Sequence, residues 1–135
     1  WRALRGHARA CGSLRARSRG LACGGRMLLQ QGRGDAGQIL PGAVVHDRSR
    51  GGDPRAFEAD SFTERKAWSY RSQWWVDPDP PRSFAAMGAF GQRLYVFPDA
   101  EIVVVTFASH PEPVSSLIDP FHRRAFAALI AHLRG

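Results

Sequence analysis

The chain has 135 residues, 44% of them hydrophobic, with 19 Lys/Arg against 12 Asp/Glu and a formal net charge of +7. That is one domain's worth of polypeptide, or part of a larger domain, with enough apolar residues to build a core. The longest apolar run, Ile102 to Ala108, is a strand's length and is interrupted only by Thr106, so no stretch reads as a membrane span.

The charge is unevenly placed. Residues 1–34 hold eight Arg and no acidic residue, whereas residues 35–135 sum to −1. Eighteen Arg stand against a single lysine, Lys66, a bias that fits a GC-rich coding sequence better than a selected binding surface. The Arg-rich start is open to three readings: an organellar transit peptide, an arm that grips phosphates, or a terminal piece of a larger protein. The last is preferred, because the segment lacks interleaved aromatics and any groove-reading motif. Residues 1–18 are accordingly expected to be a poorly ordered start, and 19–135 to be the domain portion. The chain opens on Trp1 rather than Met, so an incomplete N-terminus is expected; no signal peptide is visible, and the location expected is cytoplasmic.

Cys11 and Cys23 have eleven residues between them, with no Cys-x-x-Cys and no His pair at i, i+4, so no metal site is expected. The five histidines (His7, His46, His110, His122, His132) are scattered and read as surface or cap residues. Leu21 to Gln31 has helical apolar spacing through Leu21, Leu28 and Leu29, although Gly24-Gly25 interrupts it. Gly32 to Gly37 reads as a loop. Pro41 opens a short helix with Ala43, Val44 and Val45 as its apolar part, ended by Gly51-Gly52-Asp-Pro54. Residues 53–66 read as an irregular, exposed excursion.

A strand block follows. Trp68 to Val76, Ser83 to Pro98 and Glu101 to His110 read as three consecutive strands of one antiparallel sheet, an α/β arrangement of the α+β type. Asp77-Pro-Asp-Pro-Pro81 joins the first two, and Pro98 to Glu101 the last two. Within the second, Gly88 and Gly91 predict a kink that relieves strand strain or lets a ligand approach the backbone. The almost wholly apolar strand at 102–109 should be covered on both faces. Asp119 then serves as N-cap and Pro120 as first residue of a helix laid on the sheet by Phe121, Ala125, Phe126, Leu129, Ile130 and Leu133.

Taken in order, Arg19 to Leu29, Gly32-Arg-Gly, Gln38 to Pro41, Tyr70-Arg-Ser-Gln-Trp-Trp75, Gly88 to Pro98 and Phe107 to Pro111 resemble the C-terminal part of the serine β-lactamase-like hydrolases. This is the group of class C β-lactamases, esterases and penicillin-binding proteins, and the likeness is to its 6-aminohexanoate-dimer hydrolase branch. It covers roughly residues 12–135. The resemblance implies a β-lactamase-like fold and acyl transfer: attack on an amide or ester, a covalent acyl-serine, then hydrolysis. It implies no cofactor and a small amide or ester as substrate. The family's Lys/His-Thr-Gly strand matches Ala86-Met87-Gly88, so the backbone N–H of Ala89 would complete the oxyanion hole and Phe90 would line the pocket. Ala86 and Met87 replace the family's polar pair, which puts recognition of a β-lactam carboxylate in doubt.

The family's other machinery is not in this sequence. No Ser-x-x-Lys exists: the only lysine, Lys66, follows Thr63 at that spacing, in a charged segment with no companion base. The sequence contains no Asn, hence no Tyr-x-Asn. Ser109-His110, with Asp119, reads as an exposed loop after a strand rather than a triad, because adjacent strand residues point apart. The resemblance therefore implies an inactive fragment whose nucleophile lies in a missing N-terminal part of the same protein, which would otherwise cover the strand at 102–109. Left alone, that edge is a solubility liability. The other reading is a non-catalytic module holding nucleic acid through its Arg-rich start; a truncated product without activity is a third.

Overall fold

The computed structural model describes residues 16–57, 67–114 and 118–135. Thr63, Lys66, Cys11 and most of the Arg-rich start lie outside them. Helix α1 (Ser18–Leu29) is followed by a two-residue ladder of β1 (Arg33–Gly34) with β2 (Gly37–Gln38), then by α2 (Gly42–Ser49) and a 3-10 turn at Pro54–Phe57. Five strands come next: β3 (Ser69–Arg71), β4 (Trp74–Asp77), β5 (Ser83–Met87), β6 (Arg93–Phe97) and β7 (Ile102–Thr106). Helix α3 (Asp119–Arg134) closes the chain. The sheet is a meander in the order β3-β4-β5-β6-β7, every pair antiparallel.

The three expected strands are thus five, for two reasons. Trp68 to Val76 folds into a hairpin, with Arg71 opposite Trp74 and Ser72-Gln73 as the loop. Both loop residues have positive φ, 49° and 67°. Such two-residue turns normally recruit Asn or Gly. Here the carboxylate of Asp47, on α2, takes the Arg71 Nε at 2.8 Å and the Ser72 hydroxyl at 3.2 Å, tethering the turn from outside. Those bonds also hold the Asp47 carboxyl below its usual pKa, the Arg71 hydrogen bond foremost. Likewise, Gly88 to Gln92 is not a kink but a reversal: β5 and β6 run antiparallel with Met87 opposite Arg93.

Alternation along the strands feeds two cores. Val76, Phe84 and Val96 pack with Leu28 of α1 and Val45 of α2 on one face. Trp68, Ala85, Tyr95 and Phe97 pack with Phe126 and Ile130 of α3 on the other. The strand covered on both faces is therefore β6, whose five residues are all buried. By contrast β7 is an edge strand of this sheet, half-buried throughout. The apolar stripe of α3 is wider than its contact. Phe126 and Ile130 are buried, whereas Phe121, Ala125, Leu129 and Leu133 are exposed.

The glycine pair in α1 divides its roles. A Cβ on Gly25 would collide with Val103 Cγ1 and sit 3.1 Å from Leu94 Cδ1, so this residue sets how closely α1 approaches the sheet. A Cβ on Gly24 would meet nothing within 4 Å. Gly24→Ala is expected to stabilise the fold by about 0.5–1 kcal/mol, the usual gain over glycine in a helix. Gly25→Ala is expected to destabilise it, since overpacking costs about 1–3 kcal/mol. Urea midpoints of the two variants should move in opposite directions; a gain for both would show that α1 is loosely seated.

Candidate active site

The five residues singled out by resemblance run through the end of β5 into the reversal. Ala86 and Met87 are half-buried, Met87 against the α3-side core; Gly88, Ala89 and Phe90 are exposed. Ala89 opens a 3-10 turn, and Phe90 within it stands at φ 57°, ψ 29°. A bulky residue in the left-handed region is an outlier that persists only when its surroundings hold it there. The surroundings do so from three sides. The Phe90 N–H donates to Pro113 O at 3.1 Å, and the Phe90 carbonyl accepts from the His110 N–H at 3.1 Å. Gly88 N–H donates to Gln92 O at 2.9 Å, closing the loop's base. The Thr106 hydroxyl donates to Gly91 O at 3.3 Å, and the Gln92 side-chain amide donates to Ala108 O. The Ala89 N–H has no hydrogen-bond acceptor among the described residues.

Beneath the turn lies a group of side chains that the sequence did not bring together. Arg93 and Asp119 form an ion pair at 3.1 Å with side chains only 3% and 6% exposed. Asp119 was expected to cap α3. Instead it is the helix's first residue, Ile118 holds the cap position, and no side-chain cap bond forms. The reason is competition: a buried guanidinium must be paired, and it takes the carboxylate a cap would have used. His122 stacks on Phe126 at 5.7 Å and faces His110 at 5.8 Å. Its Nδ1 is buried without a partner among the described residues. Burial first, then the Arg93 charge, pushes the His122 pKa below its ordinary value, with Asp119 opposing. His110 packs its ring on the Cα of Gly91, whose φ of +86° and lack of a Cβ allow the approach. Thus Ser109 lies in an exposed loop as read, while His110 is half-buried against the turn.

A cleft of about 340 Å³ lies on the α3 face, lined by Asp77, Ser83, Tyr95, Phe97, Arg123 and Phe126 among others. None of residues 86–90 lines it. Asp77 in its wall is buried and pairs with Arg123 at 2.9 Å. Burial raises the Asp77 pKa above the usual carboxylate value, with Arg123 opposing. Among the described residues no cluster of His, Cys, Asp or Glu could hold a metal ion. No described helix is long and apolar enough to cross a membrane.

No protein-family model matches the chain. Over 105 residues, 77% of the chain, it is 30% identical to the 6-aminohexanoate-dimer hydrolase of Paenarthrobacter ureafaciens, a match that spans 27% of that protein. A solved structure from Bacillus anthracis, assigned as a 6-aminohexanoate-dimer hydrolase, aligns with a TM-score of 0.67 at 27% identity. That alignment covers 87% of this chain and 29% of the other. The chain therefore spans under a third of the length of these relatives. In sequence and in fold it is similar to one part of the 6-aminohexanoate-dimer hydrolases, which are serine hydrolases of the β-lactamase-like kind.

Proposed function

We propose that this chain supplies the oxyanion and pocket strand of a serine hydrolase that cleaves an amide or ester, with the nucleophile on polypeptide outside this sequence. One observation supports the reading most directly. At the end of β5, in a chain similar to such hydrolases, the Ala89 N–H is exposed and has no acceptor among the described residues. An amide left unpaired at the surface of a turn is available to a developing oxyanion. In the reaction, a serine Oγ adds to the substrate carbonyl and the carbonyl oxygen takes the negative charge against this N–H. Collapse expels the amine or alcohol, and water then releases the acid from the acyl-serine. Ala86, Met87, Gly88 and Phe90 would form the neighbouring wall. With no charged or hydroxyl side chain among them, that wall suits an apolar acyl chain better than a substrate carboxylate. The substrate class follows from the resemblance: a small amide, or an ester of similar size.

The 135-residue chain alone is expected to leave a p-nitrophenyl ester at its buffer rate, because one hydrogen-bond donor without a nucleophile gives no acyl-enzyme. Turnover that vanished on Thr63→Ala would place the nucleophile within this chain and overturn the division of labour proposed.

A further inference from the structure

Whether the Ala89 N–H can serve as an oxyanion donor depends on the direction of a single peptide plane, and a side chain not assigned to the site controls it. Arg93 Nη1 donates to the Gly88 carbonyl at 2.7 Å and to the Gln92 carbonyl at 2.9 Å. Its Nη2 donates to the Asp119 carboxylate at 3.1 Å. One guanidinium thus spans both sides of the reversal and fixes them to the first residue of α3. The Gly88–Ala89 bond is trans, and a trans peptide is planar with its C=O and N–H pointing in opposite directions. With the Gly88 oxygen drawn inward onto Arg93, the Ala89 N–H must point outward. If the plane turned over, a carbonyl oxygen would stand where the donor is needed and would repel an oxyanion. The turn's other bonds do little to prevent this: those of Gly88 N–H, Phe90 N–H and Gln92 N–H go to other oxygens, and the 3-10 turn offers the Gly88 carbonyl only the neutral Gly91 N–H beside the guanidinium.

We infer that Arg93, held in place by Asp119, is a positioning residue that sets the direction of the Ala89 N–H through the Gly88 carbonyl. The inference rests on the oxyanion reading of Ala89 for its catalytic meaning, but the clamp on the peptide plane stands on geometry alone. Arg suits the task because its flat fork presents several donors in fixed directions. A lysine ammonium is a compact point charge on a flexible stem, with no such fork to fix two carbonyls and a carboxylate together.

Two readouts test it separately. In isotope-labelled 135-residue chain, Arg93→Lys keeps a buried cation beside Asp119. It is expected to move the Gly88 ¹³C′ resonance upfield, as its donor is lost, and to broaden or double the Ala89 amide peak as two peptide orientations become populated. A folded Arg93→Lys spectrum with both resonances unmoved overturns the clamp. Should Arg93→Lys fail to fold, Asp119→Asn, which keeps a hydrogen-bonding oxygen on the guanidinium, gives the same readout in milder form. The second arm uses a polypeptide in which these residues are joined to a Ser-x-x-Lys segment. There Arg93→Lys should lower kcat by ~10²-fold, the usual effect of misplacing a catalytic group by about 1 Å, with KM little changed. If instead KM rises while kcat holds, Arg93 acts in binding and the positioning role is overturned. Ala89→Pro in the same polypeptide isolates the underlying reading: if it leaves kcat untouched, the oxyanion assignment fails whatever the resonances of Gly88 show.

Discussion

Asp119→Ala is expected to lower the stability of the fold by about 3–5 kcal/mol, because it leaves the Arg93 guanidinium buried without its counter-ion. The pair's side chains are 3% and 6% exposed, so water cannot take the place of the lost carboxylate. Arg93 Nε is already buried without a partner among the described residues, so the guanidinium has nothing to spare. Exposed pairs in the same chain should behave differently. Arg26–Asp35, at 3.4 Å with side chains 63% and 94% exposed, belongs to the class of surface pairs whose loss costs about 0–1 kcal/mol. Arg93→Met should cost as much as Asp119→Ala, since it leaves a buried carboxylate and strips the Gly88 and Gln92 carbonyls of their donor. The double variant should cost no more than either alone, which is the non-additivity expected of contacting residues. Urea denaturation of the four proteins measures all of this. A loss under about 1 kcal/mol for Asp119→Ala, the size of a surface pair, would mean that the interface between α3 and the β5–β6 turn is open to solvent.

Ala89→Pro should remove ~10²–10³ in kcat from a polypeptide that joins these residues to a Ser-x-x-Lys segment, the usual effect of deleting one oxyanion donor. Proline is the sharpest probe because it deletes the N–H and little else. The position tolerates it for identifiable reasons. Ala89 opens a 3-10 turn, whose φ lies near the value proline fixes. Gly88 before it sits at φ −105°, ψ 167°, within the extended region that a following proline demands. The deleted N–H has no acceptor to lose among the described residues. Stability should therefore change by no more than about 0.5 kcal/mol, as for a surface substitution that breaks no internal bond. An active Ala89→Pro enzyme with normal stability would falsify the assignment of this amide to the reaction.

Much of the architecture was legible from residue order. Apolar spacing located α1 and α3 to within three residues at their ends, and the near-continuous apolar runs identified a sheet with the C-terminal helix laid on it. Residues 86–90 are singled out by the family resemblance alone; the glycines by themselves mark only an irregularity within one strand. What misled was turn chemistry. Ser72 and Gln73 both adopt positive φ, which neither residue type favours, so no local signal announced the first hairpin. The bonds from Asp47 that support it come from 24 and 25 residues away. The loop at Gly88 to Gln92 was visible as a glycine-marked irregularity, but glycine spacing does not distinguish a bend from a reversal. Phe90 in the left-handed region needed Pro113 and His110 to hold it, and those too are distant in sequence.

The sequence by itself determined where the main helices and the strand block lie and the absence of a Ser-x-x-Lys or Tyr-x-Asn, because periodicity and residue identity are local properties. Tertiary structure alone decided how many times the sheet reverses and which strand lies at its centre. It also decided that Arg93 and Asp119, 26 residues apart, meet beneath the turn. The reason is physical: a buried charge takes whatever opposite charge folding brings to it, and that partner is chosen by packing in space rather than by neighbours along the chain.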